Sequence, residues 1–180
     1  MRRISCGERT FNVILKDMNF EKLSPETLRL HKGVSFTGIS TVFFLHDGNG
    51  RIFLNKRSAH ARDEHGMWSP GGGGVKHGQS IEANMLRELR EEFNVASLKT
   101  DFLGYFDAFR ELDTKHTSHW LAMCFAVLVN PDDIRINEPE MIDETGWFTP
   151  DTMPTPLHSQ FGVFFDKFDK QLRATIVSKL

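Results

Sequence analysis

The sequence predicts an α/β or α+β domain in which helices cover both faces of one sheet. Several segments rich in β-branched and aromatic residues are typical of strands, and two longer segments carry apolar residues at helical spacing. Of the 180 residues, 39% are hydrophobic and 26% are charged, the balance of an ordinary globular protein. We therefore expect one domain over residues 1–180, with an N-terminal extension at 1–37, a core at 38–150 and an amphipathic helix at 159–180.

The N-terminal extension carries signals for two short elements. Residues 10–15 alternate between apolar and polar side chains, which predicts a strand. Ser24 followed by Pro25 is typical of a helix start, with Ser24 as the N-cap. This helix is expected to end near Gly33.

A hairpin and a glycine run follow. Residues 39–46 predict a buried strand, residues 47–50 (Asp-Gly-Asn-Gly) a turn, and residues 51–57 the returning strand. The four glycines at Gly71–Gly74 predict a loop, because such a run disfavours regular structure.

The second half of the core carries helix and strand signals in turn. Ser80 is the expected N-cap of a helix that ends near Phe93. Residues 98–109, 116–129 and 145–148 predict strands. On the C-terminal helix one face is apolar and predicts core packing rather than a cofactor site; its residues are Phe161, Phe164, Phe165, Phe168, Leu172 and Ile176.

Charge and cysteine content exclude several function classes. The formal net charge is -2, so the chain lacks the basic excess of a protein that binds a nucleic-acid duplex. Cys6 and Cys124 are too few for a disulfide framework. The longest apolar runs are too short to span a membrane, so we expect a cytoplasmic protein.

Three carboxylates share one arc of the middle helix. At about 100° per residue, Glu88 and Glu92 are about 40° apart, and Glu91 lies about 60° to the other side of Glu88. Such a cluster can be a solvated acidic face or a site for a hard divalent cation, which prefers carboxylate and water oxygens. The preceding glycines favour the metal site, because a glycine loop before a helix N-terminus offers backbone N–H groups to an anion.

Residues 73–95 resemble the Nudix box, G-x5-E-x7-R-E-U-x-E-E-x-G-U, where U is a bulky aliphatic residue. The residues that match are Gly73, Arg87, Glu88, Leu89, Glu91, Glu92 and Val95. Looser resemblance extends over residues 39–149, including Trp68-Ser69-Pro70-Gly71-Gly72 before the box. The resemblance implies a Nudix-like α/β/α sandwich with a mixed central sheet.

Two positions depart from the box. Asn94 replaces the last glycine, and Asn is the usual second choice for a left-handed residue after a helix. Gln79 replaces the first glutamate and keeps a hydrogen-bonding group for Arg87 but not the opposite charge. The second departure leaves a non-catalytic relative open.

The resemblance also implies roles for the box residues. Glu88, Glu92 and Glu91 would bind Mg²⁺ or Mn²⁺, with the backbone of Gly73 as a further donor. Glu91, Glu88 and Arg87 would form the catalytic group, in which Arg87 orients a glutamate. The general base stays open between Glu91 and three later acidic residues, which are Glu111, Glu140 and Glu144.

Substrate contacts are expected from four positions in and before the box. Gly72 and Gly73 would offer backbone amides to phosphate, and Arg57, or its neighbour Lys56, would meet a phosphate from the hairpin strand. Trp68 can either stack on a base or pack beside Pro70. Trp120 and Trp147 are expected in the core.

Three functions remain open at this point. The first is a metal-dependent hydrolase that cleaves the pyrophosphate bond of a nucleoside diphosphate linked to another group, or of a nucleoside triphosphate. The second is a Nudix module that binds a nucleotide without cleaving it, as Gln79 would allow. The third resembles isopentenyl-diphosphate isomerase and would need Cys124 as a reactive thiol. The partner is a small nucleotide or diphosphate in each case, and the N-terminal extension can cover the sheet or mediate a homodimer.

Overall fold

The computed structural model describes residues 31–111 and 117–177, together with Ser24 and Glu26. The strand predicted at 10–15, most of the helix predicted after Ser24, and the turn at 112–116 lie outside the described residues. The strands are β1 (Gly38–His46), β2 (Ile52–Arg57), β3 (Trp68–Ser69), β4 (Gly71–Gly74), β5 (Lys99–Glu111), β6 (Thr117–Leu128) and β7 (Ile142–Phe148). The helices are α1 (Ile81–Phe93) and α2 (Phe161–Ile176), and short 3-10 turns lie at Pro131–Asp133 and Pro139–Met141.

All these strands belong to one mixed sheet with β1 at its centre. One edge of β1 pairs in parallel with β6, and β6 pairs with the antiparallel strand β5. The other edge is shared, because β4 pairs with Ser40–Phe43 while β2 pairs only with Leu45 and His46. Strand β2 then continues between β3 and β7. The sheet therefore divides beside β1, at the place where β2 and β4 separate.

Two hydrophobic clusters cover the two faces of the sheet. Phe44 of β1 packs with α2, where Phe164 is stacked on it at 4.2 Å between ring centroids. Its neighbours Phe43 and Leu45 point the other way and pack with α1. This alternation is what a strand buried on both faces requires. The predicted sandwich is confirmed.

The predicted hairpin is confirmed, and local hydrogen bonds explain its turn. The Asp47 carboxylate accepts from the backbone N–H groups of Asn49, at 2.8 Å, and Arg51, at 3.1 Å. Gly48 and Gly50 have φ angles of 72° and 89°, which favour glycine.

The prediction of a loop at Gly71–Gly74 is wrong, because these four residues form β4. Strand β4 pairs with β1, with Gly73 opposite Thr41 and Gly71 opposite Phe43. A β-carbon on Gly71 would overlap the rings of Phe43 and Phe93, and one on Gly73 would overlap the Glu88 carboxylate. Glycine is needed here for close packing against neighbours distant in sequence, which a local turn signal does not reveal.

Both helices agree with their predicted patterns. Helix α1 begins after Ser80, whose side chain accepts from the backbone N–H of Ala83, and ends at Asn94 in the left-handed conformation, with φ 46° and ψ 35°. Helix α2 buries the predicted apolar face, with Phe165 partly exposed at its side. Within the described ranges, no helix is long and apolar enough to cross a bilayer.

Candidate active site

A cavity of about 410 Å³ lies where the sheet divides, and its wall includes β1, β2, β4 and both helices. Part of the wall is acidic and carries Glu88, Glu92 and Glu138. Another part is basic and carries Arg57, Arg62 and Arg110. A pocket with both charge types beside an apolar floor suits a ligand that carries an anionic group and an apolar one.

Glu88 lies against β4 in a position that only glycine permits. Its carboxylate occupies the space where a β-carbon of Gly73 would be. Its side chain is 14% exposed, and an oxygen accepts from Arg87 at 2.5 Å. Close contact with β4 and the bond to Arg87 therefore restrict this carboxylate to one orientation.

Glu92 reaches the same strand one turn later on α1. Both of its carboxylate oxygens lie 3.3 Å from the backbone N–H of Gly72, which donates to them. Burial raises the pKa of Glu92 well above its ordinary value, and the charge of Glu88 raises that pKa further. Two carboxylates thus converge on β4 at a place where negative charge is unfavourable, and a cation there would relieve the repulsion.

Arg87 joins the acidic residues to the segment that leads into α1. Its guanidinium donates to Asn84 at 2.7 Å, to Glu88, and to Glu91. It also donates to the Gln79 side chain at 3.3 Å, so the neutral residue in the box keeps this contact. The arginine is thus positioned by several partners at once and points at acidic side chains.

Glu91 is placed differently from the other two glutamates. Its side chain is 47% exposed, and it pairs with Arg87 and more loosely with Lys76, at 3.9 Å. It is absent from the cavity wall that Glu88 and Glu92 share. The structure therefore brings Glu88 and Glu92 together at the cavity wall and leaves Glu91 outside it.

The residues expected to contact substrate are divided between the cavity and the core. Arg57 lines the cavity, but its guanidinium is paired with Asp63 at 2.9 Å. Lys56 pairs with Glu144 at 2.5 Å. Trp68 is only 7% exposed and packs edge-on against Phe148, so its position agrees with the packing interpretation and not with base stacking.

Three residues contribute to the site in ways that the sequence did not predict. Glu138 lines the cavity, and its pKa is raised by burial and then by the charges of Glu140, Glu88 and Glu91. Asn84 is fully buried and donates to Thr41 at 3.0 Å, and Trp120 lines the cavity although a core position was expected. Glu138 lies two positions before Glu140, which the sequence did suggest as a candidate base, whereas Asn84 and Trp120 are placed by contacts across the sheet.

The oxygen atoms at this site fit a hard divalent cation. The donors are the carboxylates of Glu88 and Glu92 and the nearby backbone carbonyl of Gly73, and Mg²⁺ and Mn²⁺ prefer such oxygens. Within the part of the chain that the structure describes, no three His, Cys, Asp or Glu side chains form a ready-made cluster. Water and substrate oxygens would therefore complete the coordination, as is usual for Mg²⁺.

Sequence comparison identifies the family. The family model described as the NUDIX domain matches residues 37–168, which is most of the chain. The chain belongs to the Nudix family. The box at 73–95 is thus the Nudix box of this domain, with β4 at its start and α1 as its helix. No curated protein matches the sequence.

Solved Nudix structures share the fold over most of their length. A MutT Nudix hydrolase from Burkholderia pseudomallei is 25% identical, with 73% of this chain and 98% of that chain covered and a TM-score of 0.64. The MutT protein from Methanosarcina mazei Go1 is 24% identical, with 75% and 94% covered and a TM-score of 0.63. The Nudix domain of Shewanella oneidensis NrtR, in complex with ADP ribose, is 18% identical, with 85% and 96% covered and a TM-score of 0.60. Family and neighbours together support a Nudix hydrolase, and enzymes of this family generally use divalent metals.

Proposed function

We propose that this Nudix protein is a divalent-metal-dependent hydrolase. Its substrate would be a nucleoside diphosphate linked to another moiety, or a nucleoside triphosphate, cleaved at the pyrophosphate bond. The main support is the convergence of the Glu88 and Glu92 carboxylates on β4 at the wall of a cavity. Glu88, Glu92 and the Gly73 carbonyl would hold Mg²⁺ or Mn²⁺, which neutralises the diphosphate and activates water when bound.

The residues around the carboxylates have positioning and proton-transfer roles in this proposal. Arg87 orients Glu88 and Glu91 through charged hydrogen bonds. Arg57 supplies positive charge at the wall, in partial balance with Asp63. Glu138 joins Glu91 as a candidate general base, because it lines the cavity and its raised pKa makes the carboxylate a stronger base.

Other candidate bases are less well supported. Glu144 is engaged with Lys56, and Glu111 lies beside a second, smaller cavity. Glu140 does not line the cavity, and its charge raises the pKa of Glu138.

A direct test compares two glutamates of α1. Wild-type protein is assayed for phosphate or nucleotide release against nucleoside triphosphates, nucleotide sugars and dinucleotides, with and without Mg²⁺ or Mn²⁺. Glu92→Gln is expected to lower kcat/KM by more than about 100-fold, beyond the loss that follows removal of a group that merely orients a ligand. Glu82→Gln, on the exposed face of the same helix, serves as the matched control and should retain activity. If Glu92→Gln keeps the activity of the wild-type protein, the proposed metal ligands are refuted.

A nucleotide-binding module without catalysis is the second candidate. The observation in its favour is Gln79, which contacts Arg87 at 3.3 Å without the charge of the family glutamate. Tight nucleotide binding with no metal-dependent product across the whole substrate panel would favour it.

The isomerase alternative is disfavoured by the state of Cys124. The thiol is fully buried and does not line the cavity, and burial raises its pKa to about 12. A reactive cysteine needs an accessible thiolate, which this environment opposes.

Partners and location follow from the proposed activity and the sequence. A small nucleotide or diphosphate is the expected partner, and neither a nucleic-acid duplex nor a membrane is required. A homodimer formed through residues 1–37 stays a prediction, because most of that extension lies outside the described residues. The cytoplasmic location also stays a prediction.

A further inference from the structure

The indole of Trp120 is part of the cavity wall. The side chain is partly buried, with its inner side packed against the cluster that contains Phe44 and Ala122. A β-carbon on Gly33 or on Gly38 would overlap the ring. Two glycines therefore make room for the indole and restrict it to one position beside the opening.

The glycine strand connects this indole to the acidic residues. A β-carbon on Gly73 would meet Glu88, whereas one on Gly74 would lie 3.7 Å from the Trp120 ring. Because adjacent residues of a strand face opposite sides of the sheet, Glu88 and Trp120 lie on opposite sides of β4. One cavity is nevertheless lined by both residues. A ligand with an anionic end and a flat apolar end can thus lie across this strand.

Cationic groups lie over the same ring. The Arg62 guanidinium carbon is 5.3 Å from the centroid of Trp120, and the Lys32 amine is 5.8 Å from it. The Arg62 side chain is 65% exposed, and it also pairs with Asp63 at 3.3 Å. An indole face with an exposed guanidinium above it favours a planar, electron-rich ring over an aliphatic group, because both partners interact with a π system.

We propose that Trp120 is the stacking surface for the base of a nucleotide substrate, with Arg62 closing over the opposite face of that base. The proposal rests on the proposed function, since it assumes that the phosphates of the same ligand lie at Glu88 and Glu92. For the substrates already proposed, it implies that the base contributes to binding in addition to the phosphates. It also assigns base recognition to a tryptophan of β6 and a loop arginine, both outside the Nudix box.

Binding of nucleoside monophosphates tests the stacking separately from hydrolysis. AMP, GMP, CMP and UMP have no phosphoanhydride bond to cleave, and ribose 5-phosphate is the matched ligand without a base. With Mg²⁺ present, we expect at least one monophosphate to bind more tightly than ribose 5-phosphate and to quench tryptophan fluorescence. Trp120→Leu should weaken that binding by about 5- to 150-fold, the range for loss of one base–aromatic stack, and leave ribose 5-phosphate unchanged.

Further variants protect the test from a folding defect. Trp120→Phe should retain binding within about threefold, since a phenyl ring still stacks, but lose the quenching. Trp147→Phe, which removes an indole outside the cavity wall, should keep both binding and quenching. Arg62→Gln changes an exposed side chain and should weaken the monophosphate by about 2- to 5-fold.

Two results would overturn the proposal. One is equal affinity of wild-type protein for ribose 5-phosphate and all four monophosphates. The other is an unchanged ratio of these affinities in Trp120→Leu; an unchanged ratio in Arg62→Gln alone would contradict the role of Arg62. If the monophosphates bind as expected but no substrate is hydrolysed, the stacking site stands and the proposed hydrolase activity fails.

Discussion

At the scale of single residues, Asn84 shows how a buried polar group can join three parts of a site. It lies inside α1 and is fully buried. Its amide group donates to Thr41 of β1, and its amide oxygen accepts from Arg87 and from the backbone N–H of Lys76. The bond to Thr41 is buried and the other two are partly buried, so loss of Asn84 leaves its partners unsatisfied.

We predict that Asn84→Ala lowers both stability and turnover. The free energy of unfolding should fall by about 1–3 kcal/mol, because Thr41 and Arg87 each lose a buried partner. Activity should fall mainly through kcat, since Arg87 is less firmly held beside Glu88. Urea unfolding and steady-state kinetics measure the two effects.

An exposed asparagine gives the control for this prediction. Asn137 donates to the backbone of Arg90 at the surface, and Asn137→Ala should cost less than about 1 kcal/mol with kcat unchanged. Equal effects of the two variants on kcat would contradict a positioning role for Asn84.

The sequence was informative for residues with a local function. The left-handed conformation of Asn94 and the cap at Ser80 were predicted because each depends on a single turn of backbone. Asn84 has no such signature, since an asparagine inside a helix is equally compatible with a solvated position. Its partner Thr41 is 43 residues away in the chain.

At the scale of elements, one face of β4 has two different roles although all residues of the strand are identical. At Gly71 this face is covered by the rings of Phe43 and Phe93, and at Gly73 it is covered by the Glu88 carboxylate. The same residue type therefore serves core packing at one position and the candidate site at the next position on that face.

We predict that alanine at these two positions separates stability from activity. Gly71→Ala should destabilise the fold by about 1–3 kcal/mol, because two buried rings must move. Gly73→Ala should have a smaller effect on stability, because it displaces the end of a flexible side chain, but should lower kcat/KM by at least about 10-fold through Glu88. Thermal unfolding and kinetics on both variants distinguish the effects.

Gly162→Ala is the matched control for both substitutions. A β-carbon there meets nothing within 4 Å, and the position lies in the first turn of α2. It should raise stability by up to about 1 kcal/mol and leave activity unchanged. A loss of activity in Gly71→Ala as large as in Gly73→Ala, with both proteins folded, would contradict the division of roles.

At the scale of the whole molecule, burial of ionisable groups sets the pH range of stability. Burial lowers the pKa of His46, although the charges of Asp101 and Asp47 act in the opposite direction and Lys99 acts with burial. The pKa of His158 is lowered for the same leading reason. In contrast, the pKa values of three carboxyl groups are lowered by charged and hydrogen-bonding partners that outweigh burial; they are Asp47, Asp63 and Glu64.

We predict two separate steps in acid destabilisation. The unfolded chain takes up histidine protons near pH 6.5 while the folded protein resists, so stability falls as pH drops below about 6.5 toward the lowered folded pKa of His46. The carboxyl groups contribute stability above about pH 4, which is lost as pH falls further through their lowered folded pKa values. Urea midpoints measured between about pH 8 and about pH 3 should show both steps.

Substitution of His46 tests the assignment of the first step. His46→Gln should flatten the dependence between about pH 7.5 and about pH 5.5, whereas His60→Gln, at an exposed position, should not. If the two variants follow the same curve as the wild type, the first step does not come from His46.

By itself the sequence determined the alternation of β1, both amphipathic helices, the glutamates of α1 and the family to which the chain belongs. These features depend on periodicity and on contacts within a few turns of chain, which the order of residues encodes directly. Only the tertiary structure decided that Gly71–Gly74 form a strand, that Glu91 pairs with Arg87 outside the cavity wall, and that Trp120 borders the cavity. Those outcomes depend on the side chains that pack beside β4. These side chains come from segments distant in sequence, which are brought together only when the sheet has formed.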